Sequence, residues 1–280
     1  MKVAITGGSG FVGRALTERL RASGHSVTAV SLRTQPSPAV FAGCQAVVHL
    51  AGEPVAQRWT AAARERIRDS RIQGTQSLVA ALRQEPPTVL VSASAVGYYG
   101  SQGDYILTEQ SAPAADFLGQ VALGWEQEAR AAEQFGVRVV TPRIGVVLGR
   151  GGGALGKMLL PFRLGVGGRL GSGKQWMSWI HLDDLVSLIE FAIATPALSG
   201  PVNAVAPNPV TNAMFTRALA AALHRPAIFP VPSFALKMLF GEMSQVLLGG
   251  QRVIPEVAMR AGFQFRYAEI GEALRQILAD

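Results

Sequence analysis

Three glycines near the N-terminus have the spacing of a phosphate-binding turn. Gly7, Gly10 and Gly13 follow the apolar run 3–6 and open a segment with helical periodicity. In such a turn the first glycine permits a tight bend, the second lets the backbone approach a pyrophosphate, and the third lets helix and strand pack closely. The free N–H groups of the helix N-terminus add positive potential. We therefore predict a dinucleotide site here; the alternative is an ordinary strand-to-helix turn.

The end of the second predicted strand indicates which dinucleotide is bound. Proteins that use NAD usually carry a carboxylate at this point for the ribose hydroxyls, whereas those that use NADP place an arginine near the 2′-phosphate. This chain has Ser31 and Arg33 there and no carboxylate. Because a hydroxyl and a guanidinium suit a phosphate, the pattern favours NADP(H) as the cofactor. The alternative is that Arg33 is a solvated loop residue.

Three side chains with hydroxyl groups follow the fourth predicted strand. Ser94, Tyr98 and Tyr99 fall at the carboxyl end of a parallel strand, where open α/β sheets bind ligands. We expect Ser94 to contact the substrate and Tyr98 or Tyr99 to carry a proton. The alternative for the tyrosines is a packing role with satisfied hydroxyls. Glu53 either reaches the same cleft or serves as a turn or capping carboxylate.

Other polar residues favour structural roles. Asp183 and Asp184 directly precede an apolar helical segment whose free N–H groups need acceptors, so we expect them to cap it. We expect His181 to order the junction of the two halves and His49 to end a strand. No cluster of His, Asp or Glu has metal-ligand spacing, and the single Cys44 excludes both a disulfide framework and a thiolate zinc site. The sequence therefore predicts no metal site.

The elements that must position these residues alternate between apolar runs and helical periodicity, which is the pattern of a parallel sheet covered by helices. The predicted strands are 3–6, 26–31, 46–50, 88–92 and 137–142, and the predicted helices are 10–22, 61–82 and about 116–135. Only 14 residues, including Pro36 and Pro38, separate the second and third strands. That is too short for a full crossover helix, so we expect an irregular or one-turn crossover.

The second half of the chain has a different residue pattern from the first half. Glycine-rich stretches between 149 and 173 indicate that loops dominate there. Helices are predicted at about 183–195, 212–223 and 267–278, and a strand near 202–204. The predicted fold class is α/β: a Rossmann-type doubly wound parallel sheet in residues 1–148, with residues 149–280 partly completing the sheet and forming a small C-terminal substrate lobe.

Composition restricts the partners. The chain has 280 residues and a net charge of +7, and only four of its 26 basic residues are lysines. This balance favours an anionic small molecule, because the arginines are scattered and not interleaved with aromatic residues as in a nucleic-acid surface. No signal-peptide pattern and no apolar run of about 18 residues is present. We expect a soluble, cytoplasmic protein with neither nucleic acid nor membrane as a partner; the oligomeric state and the substrate are left open.

Further motifs point to a family. The loops 50–54 (LAGEP) and 94–100 (SAVGYYG) and the segment 179–184 (WIHLDD) join the glycine turn in a pattern that resembles the extended short-chain dehydrogenase/reductase superfamily. More closely, the chain resembles the sugar-epimerase-like proteins of the atypical branch, through the arginine-rich run 64–71, the glycine run 149–153, the segment 159–163 (LLPFR) and the segment 249–255 (GGQRVIP). The similarity covers nearly the whole chain.

The resemblance implies a role for each part of the cofactor site. Ser31 and Arg33 would hold the 2′-phosphate end, and Arg66, Arg71 and Val147 would border the cofactor. The residues expected to hold the pyrophosphate are Gly7, Gly10, Phe11, Val12 and Gly13. Those expected beside the adenine-side ribose are Leu50, Ala51 and Gly52. The implied activity is an NADP(H)-dependent oxidoreductase or epimerase-like reaction.

One feature of the superfamily is missing. Its catalysis relies on a Tyr-x-x-x-Lys pair on the helix after the fourth strand, where the lysine lowers the pKa of the tyrosine. No tyrosine lies four residues before a lysine in this sequence, and the segment 118–126 contains neither residue type. Either another acid/base group serves, or the protein is a non-catalytic NADP(H)-binding or redox-sensing protein.

Overall fold

The apolar strands of the first half form one parallel sheet. The structure is a computed structural model that describes residues 1–279. Its main sheet has seven strands in the order β11-β7-β4-β3-β1-β2, with β5 also paired to β7, and every pairing in it is parallel. The strands are β1 (Lys2–Thr6), β2 (Ser26–Val30), β3 (Ala46–His49), β4 (Val89–Ser92), β5 (Ser94–Ala95), β6 (Ile106–Leu107), β7 (Arg138–Ile144), β8 (Val146–Leu148), β9 (Trp176–Met177), β10 (Trp179–His181), β11 (Gly200–Ala204), β12 (Val210–Thr211) and β13 (Arg252–Val253).

Helices cover both faces of this sheet, which confirms the doubly wound α/β prediction. The helices are α1 (Phe11–Ala22), α2 (Ala61–Leu82), α3 (Phe117–Arg130), α4 (Gly153–Arg163), α5 (Leu182–Ala194), α6 (Asn212–Leu223), α7 (Ser233–Phe240), α8 (Ser244–Leu248), α9 (Glu256–Arg260) and α10 (Ile270–Leu278). Val3 and Ile5 of β1 pack against α1 and α5, and Ala4 packs on the opposite face with residues of α2 and α3. Within residues 1–279, no helix combines the length and the apolar character needed to cross a membrane.

The short crossover between β2 and β3 is the single turn that its length predicts. Residues Pro38–Phe41 form a 3-10 helix, and the Phe41 ring is buried beneath it against the sheet. A crossover this short keeps β2 at the sheet edge, so the loop at its end, with Ser31 and Arg33, is exposed. The site that those two residues were expected to form therefore has open access.

The expectation that loops dominate after residue 149 is wrong at α4. Leu155 and Phe162 are buried on one face of this helix in the core of the second half, and Met158 and Leu159 pack beside them. Glycines in the helix hid this apolar stripe, since a glycine-rich segment ordinarily disfavours a helix. The strand predicted near 202–204 is β11, which joins the main sheet beside β7. The boundary at residue 148 stays a prediction.

Candidate cofactor cleft and active site

The phosphate turn is built so tightly that two of its glycines cannot be replaced. Gly7 has φ +74°, and a Cβ there would lie 2.7 Å from the backbone nitrogen of Ala51. A Cβ on Gly13 would lie 2.2 Å from the Gly7 oxygen. Gly10 differs, because its Cβ would have a single neighbour within 4 Å, the Gly7 oxygen at 3.2 Å. These distances fit the turn role predicted for Gly7 and the packing role predicted for Gly13, whereas Gly10, at the start of α1, has one tight backbone contact and no other neighbour within 4 Å.

Phe11 connects this turn to the second half of the chain. Side chains on Gly149, Gly152 or Gly153 would collide with the Phe11 ring, with Cβ positions 3.0, 2.6 and 2.8 Å from its atoms. The ring therefore packs against the glycine run, and α4 begins beside the phosphate turn. The Phe11 side chain anchors the glycine run, and its backbone N–H lies at the N-terminus of α1. The assignment of Phe11 to the pyrophosphate therefore stays a prediction, one that its backbone N–H would fulfil.

Two further predicted cofactor neighbours pack in the protein interior. Val12 and Val147 are half-buried and lie against the main core cluster. Val147 precedes the glycine run, and its carbonyl oxygen lies 3.0 Å from the Cβ position of Gly153. Both valines therefore attach the segments that carry them, the start of α1 and β8, to the main core.

Arg71 holds the loop that follows β3. Its Nη1 donates to the backbone oxygens of Glu53 at 2.9 Å and Ile67 at 3.1 Å, and its guanidinium lies over the Trp125 ring at 5.1 Å. A Cβ on Gly52 would lie 3.2 Å from this guanidinium, so only glycine packs there without displacing it. Burial lowers the pKa of Arg71 to about 10, which leaves it charged at neutral pH. Arg71 thus holds the loop at Gly52 and Glu53 in place, and the assignment of Leu50, Ala51 and Gly52 to the ribose stays a prediction.

Arg66 and Glu53 pair with each other at the edge of this loop. Arg66 Nε lies 3.6 Å from Glu53 Oε1, and Gln57 donates to the same carboxylate oxygen at 3.0 Å. The Arg66 side chain is largely exposed, so the pair is worth little stability. For Glu53, these contacts favour the turn-carboxylate interpretation over an acid/base role.

Ser31 and Arg33 lie where the sequence placed them, at the exposed carboxyl end of β2. The Arg33 backbone N–H donates to Ser31 Oγ at 3.2 Å, which folds the loop so that both residues face outward. Within residues 1–279, no carboxylate lies within 4 Å of the Arg33 guanidinium. The guanidinium is therefore available for a phosphate.

Ser94 is a member of a buried polar network. Its Oγ donates to Glu126 Oε1 at 2.7 Å, and Arg143 binds both oxygens of the same carboxylate at 2.7 and 2.8 Å. The side chains of Arg143 and Glu126 are 3% and 9% exposed. Because the Ser94 proton points to Glu126, the hydroxyl can accept a hydrogen bond from a ligand but has no proton left to donate.

Tyr99 belongs to the same network, and its hydroxyl is already paired there, which argues against a role in proton transfer. Its side chain is fully buried, its hydroxyl donates to Asn203 Oδ1 at 2.6 Å, and it accepts from Arg143 Nη1 at 2.9 Å. Burial raises the pKa of Tyr99 to about 12, although Arg143 acts in the opposite direction. This is the packing role that the sequence left open as the alternative.

Tyr98 is different, because its hydroxyl is free. The Arg143 guanidinium lies over its ring at 3.5 Å, which fixes the ring position. Within residues 1–279, the Tyr98 hydroxyl makes no hydrogen bond, and it is not among the enclosed polar atoms that lack a partner. The Tyr98 side chain is thus largely buried, at 8% exposed, while its hydroxyl is unpaired and not fully enclosed, after the carboxyl end of β5.

Sequence reasoning missed Glu126, Arg143 and Asn203. Their pairing joins α3, β7 and β11, which are 17 to 77 positions apart in the chain, so no local pattern connects them. The signal available was weak: Glu126 and Arg143 are charged residues at positions whose neighbours Trp125, Pro142 and Ile144 are apolar. A buried charge needs a partner, and this predicts that the two meet.

The structure corrects the expectation for Asp184. Its carboxylate is buried and accepts the backbone N–H groups of Arg266 and Tyr267, both at 2.9 Å, rather than those of its own helix. The cap of α5 is His181, whose Nδ1 accepts the Asp183 backbone N–H at 3.0 Å. The His181 ring also packs on Tyr267 at 3.9 Å, so it orders the junction as expected.

His49 ends β3 as predicted and lies in a closed polar pocket. Its two ring nitrogens lie 2.6 Å from Thr6 Oγ1 and 2.9 Å from Thr75 Oγ1. Burial, with a smaller contribution from the Arg71 charge, lowers the pKa of His49 to about 4. The ring is neutral at physiological pH and serves to hold β1, β3 and α2 together.

Two buried polar atoms near the cleft have no partner within the described residues. They are Ser92 Oγ at the end of β4 and the indole nitrogen of Trp125. Buried polar atoms are normally satisfied, so each one is available to a ligand or a water. No group of three or more potential metal ligands occurs in the part of the chain that the structure describes.

Comparison with known proteins gives consistent matches. The model of the NAD-dependent epimerase/dehydratase family matches residues 3–205, and a domain of unknown function, DUF1731, matches residues 231–277. Epimerase family protein Mb2239 of Mycobacterium bovis is 46% identical over 97% of this chain and 96% of its own. Human epimerase family protein SDR39U1, whose crystal structure contains NADPH, is 39% identical, with a TM-score of 0.90 over 99% of each chain.

Proposed function

The chain belongs to the NAD-dependent epimerase/dehydratase family, and on that basis we propose that it binds NADPH and uses it in an oxidoreductase or epimerase-like reaction. The phosphate turn carries this proposal. Gly10 is the N-cap of α1, and its Cβ position has the Gly7 oxygen as its single neighbour within 4 Å, so a pyrophosphate placed there meets free backbone N–H groups. No side chain of α1 caps these groups.

The preference for NADPH over NADH rests on the end of β2. Arg33 is exposed, has no carboxylate partner within residues 1–279, and follows a serine that folds the loop outward. A guanidinium binds a phosphate through charged hydrogen bonds, and NADH lacks that phosphate. The human relative that was crystallised with NADPH supports the same choice.

Tyr98 is the residue that we assign to proton transfer. NADPH, when bound, supplies a hydride to a carbonyl carbon. Tyr98 donates its hydroxyl proton to the carbonyl oxygen, since its hydroxyl is unpaired and its ring is fixed by Arg143. Ser94 accepts a hydrogen bond from the substrate and positions it, because Glu126 holds the serine proton.

A second function is a non-catalytic NADP(H)-binding or redox-sensing protein. The observation that favours it is that two of the three expected catalytic hydroxyls, those of Ser94 and Tyr99, donate to other residues of the chain. The segment 118–126 also offers no Tyr-x-x-x-Lys pair.

Stopped-flow oxidation of NADPH separates the two functions. The parent protein is mixed with a panel of aldehydes, ketones and nucleotide sugars, beside Tyr98→Phe and the matched control Tyr99→Phe. We expect slow turnover that Tyr98→Phe lowers by about 100-fold or more, with unchanged NADPH affinity. Tyr99→Phe should lower stability but leave the rate per folded molecule unchanged.

Two results would decide against the assignment. Turnover that Tyr98→Phe leaves intact would show that the proton comes from another group. NADPH binding by the parent without oxidation by any compound would favour the non-catalytic function.

A further inference from the structure

Most of the large apolar side chains exposed on the described residues lie in one region of the second half. They stand well out of the surface, each 54–77% exposed. We name this region the lobe patch, and it consists of Leu160, Leu164, Val166, Ile228, Phe229, Phe234, Met238 and Leu239.

The patch is continuous because two distant segments run side by side. Arg225 Nε donates to the Arg163 oxygen at 3.2 Å, and the Val231 backbone N–H donates to the Arg169 oxygen at 2.9 Å. The segments 163–171 and 225–231 are thereby held together, with Leu164 and Val166 on one and Ile228 and Phe229 on the other. The helix α4 ends at one side of this ribbon, and α7 begins directly after it.

The half of the chain that carries the lobe patch also carries the excess positive charge. Residues 151–182 and 191–241 contain seven Lys and Arg and no Asp or Glu, whereas the rest of the chain has 19 basic and 19 acidic residues. The seven cations are Lys157, Arg163, Arg169, Lys174, Arg217, Arg225 and Lys237. Within residues 1–279, none of them forms an ion pair.

We propose that the lobe patch docks the protein on the surface of an anionic lipid bilayer. Protruding apolar side chains enter the boundary between headgroups and acyl chains. The cations on the same segments, which are Arg163, Arg169, Arg225 and Lys237, reach the acidic headgroups. This is attachment to a surface and needs no helix that crosses the bilayer. It replaces our expectation from the sequence that no membrane is a partner.

The charge and the apolar side chains of the patch argue against two other occupants. A second copy of the chain would bring seven more unpaired cations against the first seven, and like charges repel. A protein partner is an outcome of the test, because a surface built for a protein would leave this chain unbound to vesicles of lipid alone. A nucleic acid would use the cations but would leave the apolar residues exposed.

Co-sedimentation with lipid vesicles tests the proposal. The NADPH-saturated protein is mixed with vesicles of phosphatidylcholine alone, or of phosphatidylcholine and phosphatidylglycerol at about three to one. We expect binding to the anionic vesicles, at least about tenfold weaker binding to the neutral ones, and release as NaCl rises from about 0.1 M to about 0.5 M.

Matched variants identify the surface. Phe234→Ser/Met238→Ser should weaken binding by about tenfold or more, whereas Ile106→Ser/Met259→Ser, which removes two apolar side chains exposed outside the patch, should not.

A second pair of variants tests the charge. Arg163→Gln/Lys237→Gln should weaken vesicle binding by about 30-fold, because each cation near the bilayer contributes about one kcal/mol. Arg21→Gln/Arg83→Gln lowers the net charge equally, on exposed residues far from the patch, and should have little effect.

Several outcomes would overturn the proposal. These are no binding to anionic vesicles, equal binding to neutral ones, or equal losses in patch and control variants. If the parent protein is a dimer that does not bind vesicles, and Phe234→Ser/Met238→Ser makes it a monomer, the patch joins two copies instead. NADPH titration of every variant shows that each one is folded, so a failed variant is recognised independently of the lipid result.

Discussion

Gly10 and Gly13 are three residues apart in the same turn, yet replacing them should have opposite consequences. A Cβ on Gly13 would lie 2.2 Å from the Gly7 oxygen and 2.7 Å from the Gly8 Cα, which are backbone atoms that cannot move aside cheaply. Overpacking of this kind typically costs about 1–3 kcal/mol and sometimes more. We expect Gly13→Ala to lower the free energy of unfolding by about 3 kcal/mol.

Gly10→Val should weaken NADPH binding and have a smaller effect on stability. Its Cβ has one close neighbour, the Gly7 oxygen at 3.2 Å, which must shift slightly, whereas the 2.2 Å contact at Gly13 cannot be relieved in that way. Gly10 has φ −73° and ψ 174°, an extended conformation that valine adopts readily. The two methyl groups project into the space that the pyrophosphate needs. Loss of two charged hydrogen bonds, each worth about 1.5–3 kcal/mol, weakens NADPH binding by at least about 100-fold.

Urea denaturation and NADPH fluorescence titration measure the two effects separately. Gly74→Ala in α2 is the control, because its Cβ meets nothing within 4 Å; it should leave binding unchanged and stabilise the helix by about 0.5–1 kcal/mol. A Gly10→Val protein that binds NADPH like the parent would refute the assignment of this turn to the pyrophosphate. A Gly13→Ala protein as stable as the parent would refute the packing argument.

Three further perturbations test the framework around the cleft. Glu126→Gln leaves the buried Arg143 without its carboxylate and should cost about 3–5 kcal/mol in urea denaturation; a cost below about 1 kcal/mol would contradict the network. The pKa of His49 is about 4 in the folded chain and higher when unfolded, so the unfolded state takes up its proton first as pH falls. Stability should fall by roughly 3 kcal/mol between about pH 7 and pH 4 from this residue, and His49→Gln should remove that part of the profile; an unchanged profile would count against it. Phe11→Ala removes the ring that packs on the glycine run, and trypsin should then cleave after Arg150 faster than in the parent; equal cleavage rates would contradict the anchoring role.

Local patterns predicted the sheet and the cofactor turn well. Alternation of buried strands with amphipathic helices placed β1 to β4 and α1 to α3 within a few residues, because each element buries its own apolar face. The turn from Gly7 to Gly13 was predictable because the close backbone contacts that require glycine at Gly13 involve Gly7 and Gly8, which are near it in sequence. The helix α4 was not predictable from the sequence, because glycines and Pro161 interrupt its apolar stripe. That stripe is buried only by packing against distant residues of the second half.

The chemistry of the cleft depends on contacts between distant residues. Tyr98 and Tyr99 are adjacent in sequence and were equivalent candidates, but β11 supplies Asn203 to Tyr99 alone. Ser94 stood where a donor to the substrate was expected, and Glu126 on α3 takes its proton. Such pairings are fixed by the packing of α3, β7 and β11, and no spacing in the sequence encodes them.

The binding of NADPH is the central claim, and calorimetric titration of NADPH and NADH into the parent and Arg33→Ala proteins tests it most directly. NADPH should bind the parent more tightly than NADH, and Arg33→Ala should weaken NADPH by about one to two decades while leaving NADH nearly unchanged. Equal affinities of the parent for the two dinucleotides, or equal losses for both in Arg33→Ala, would contradict the account.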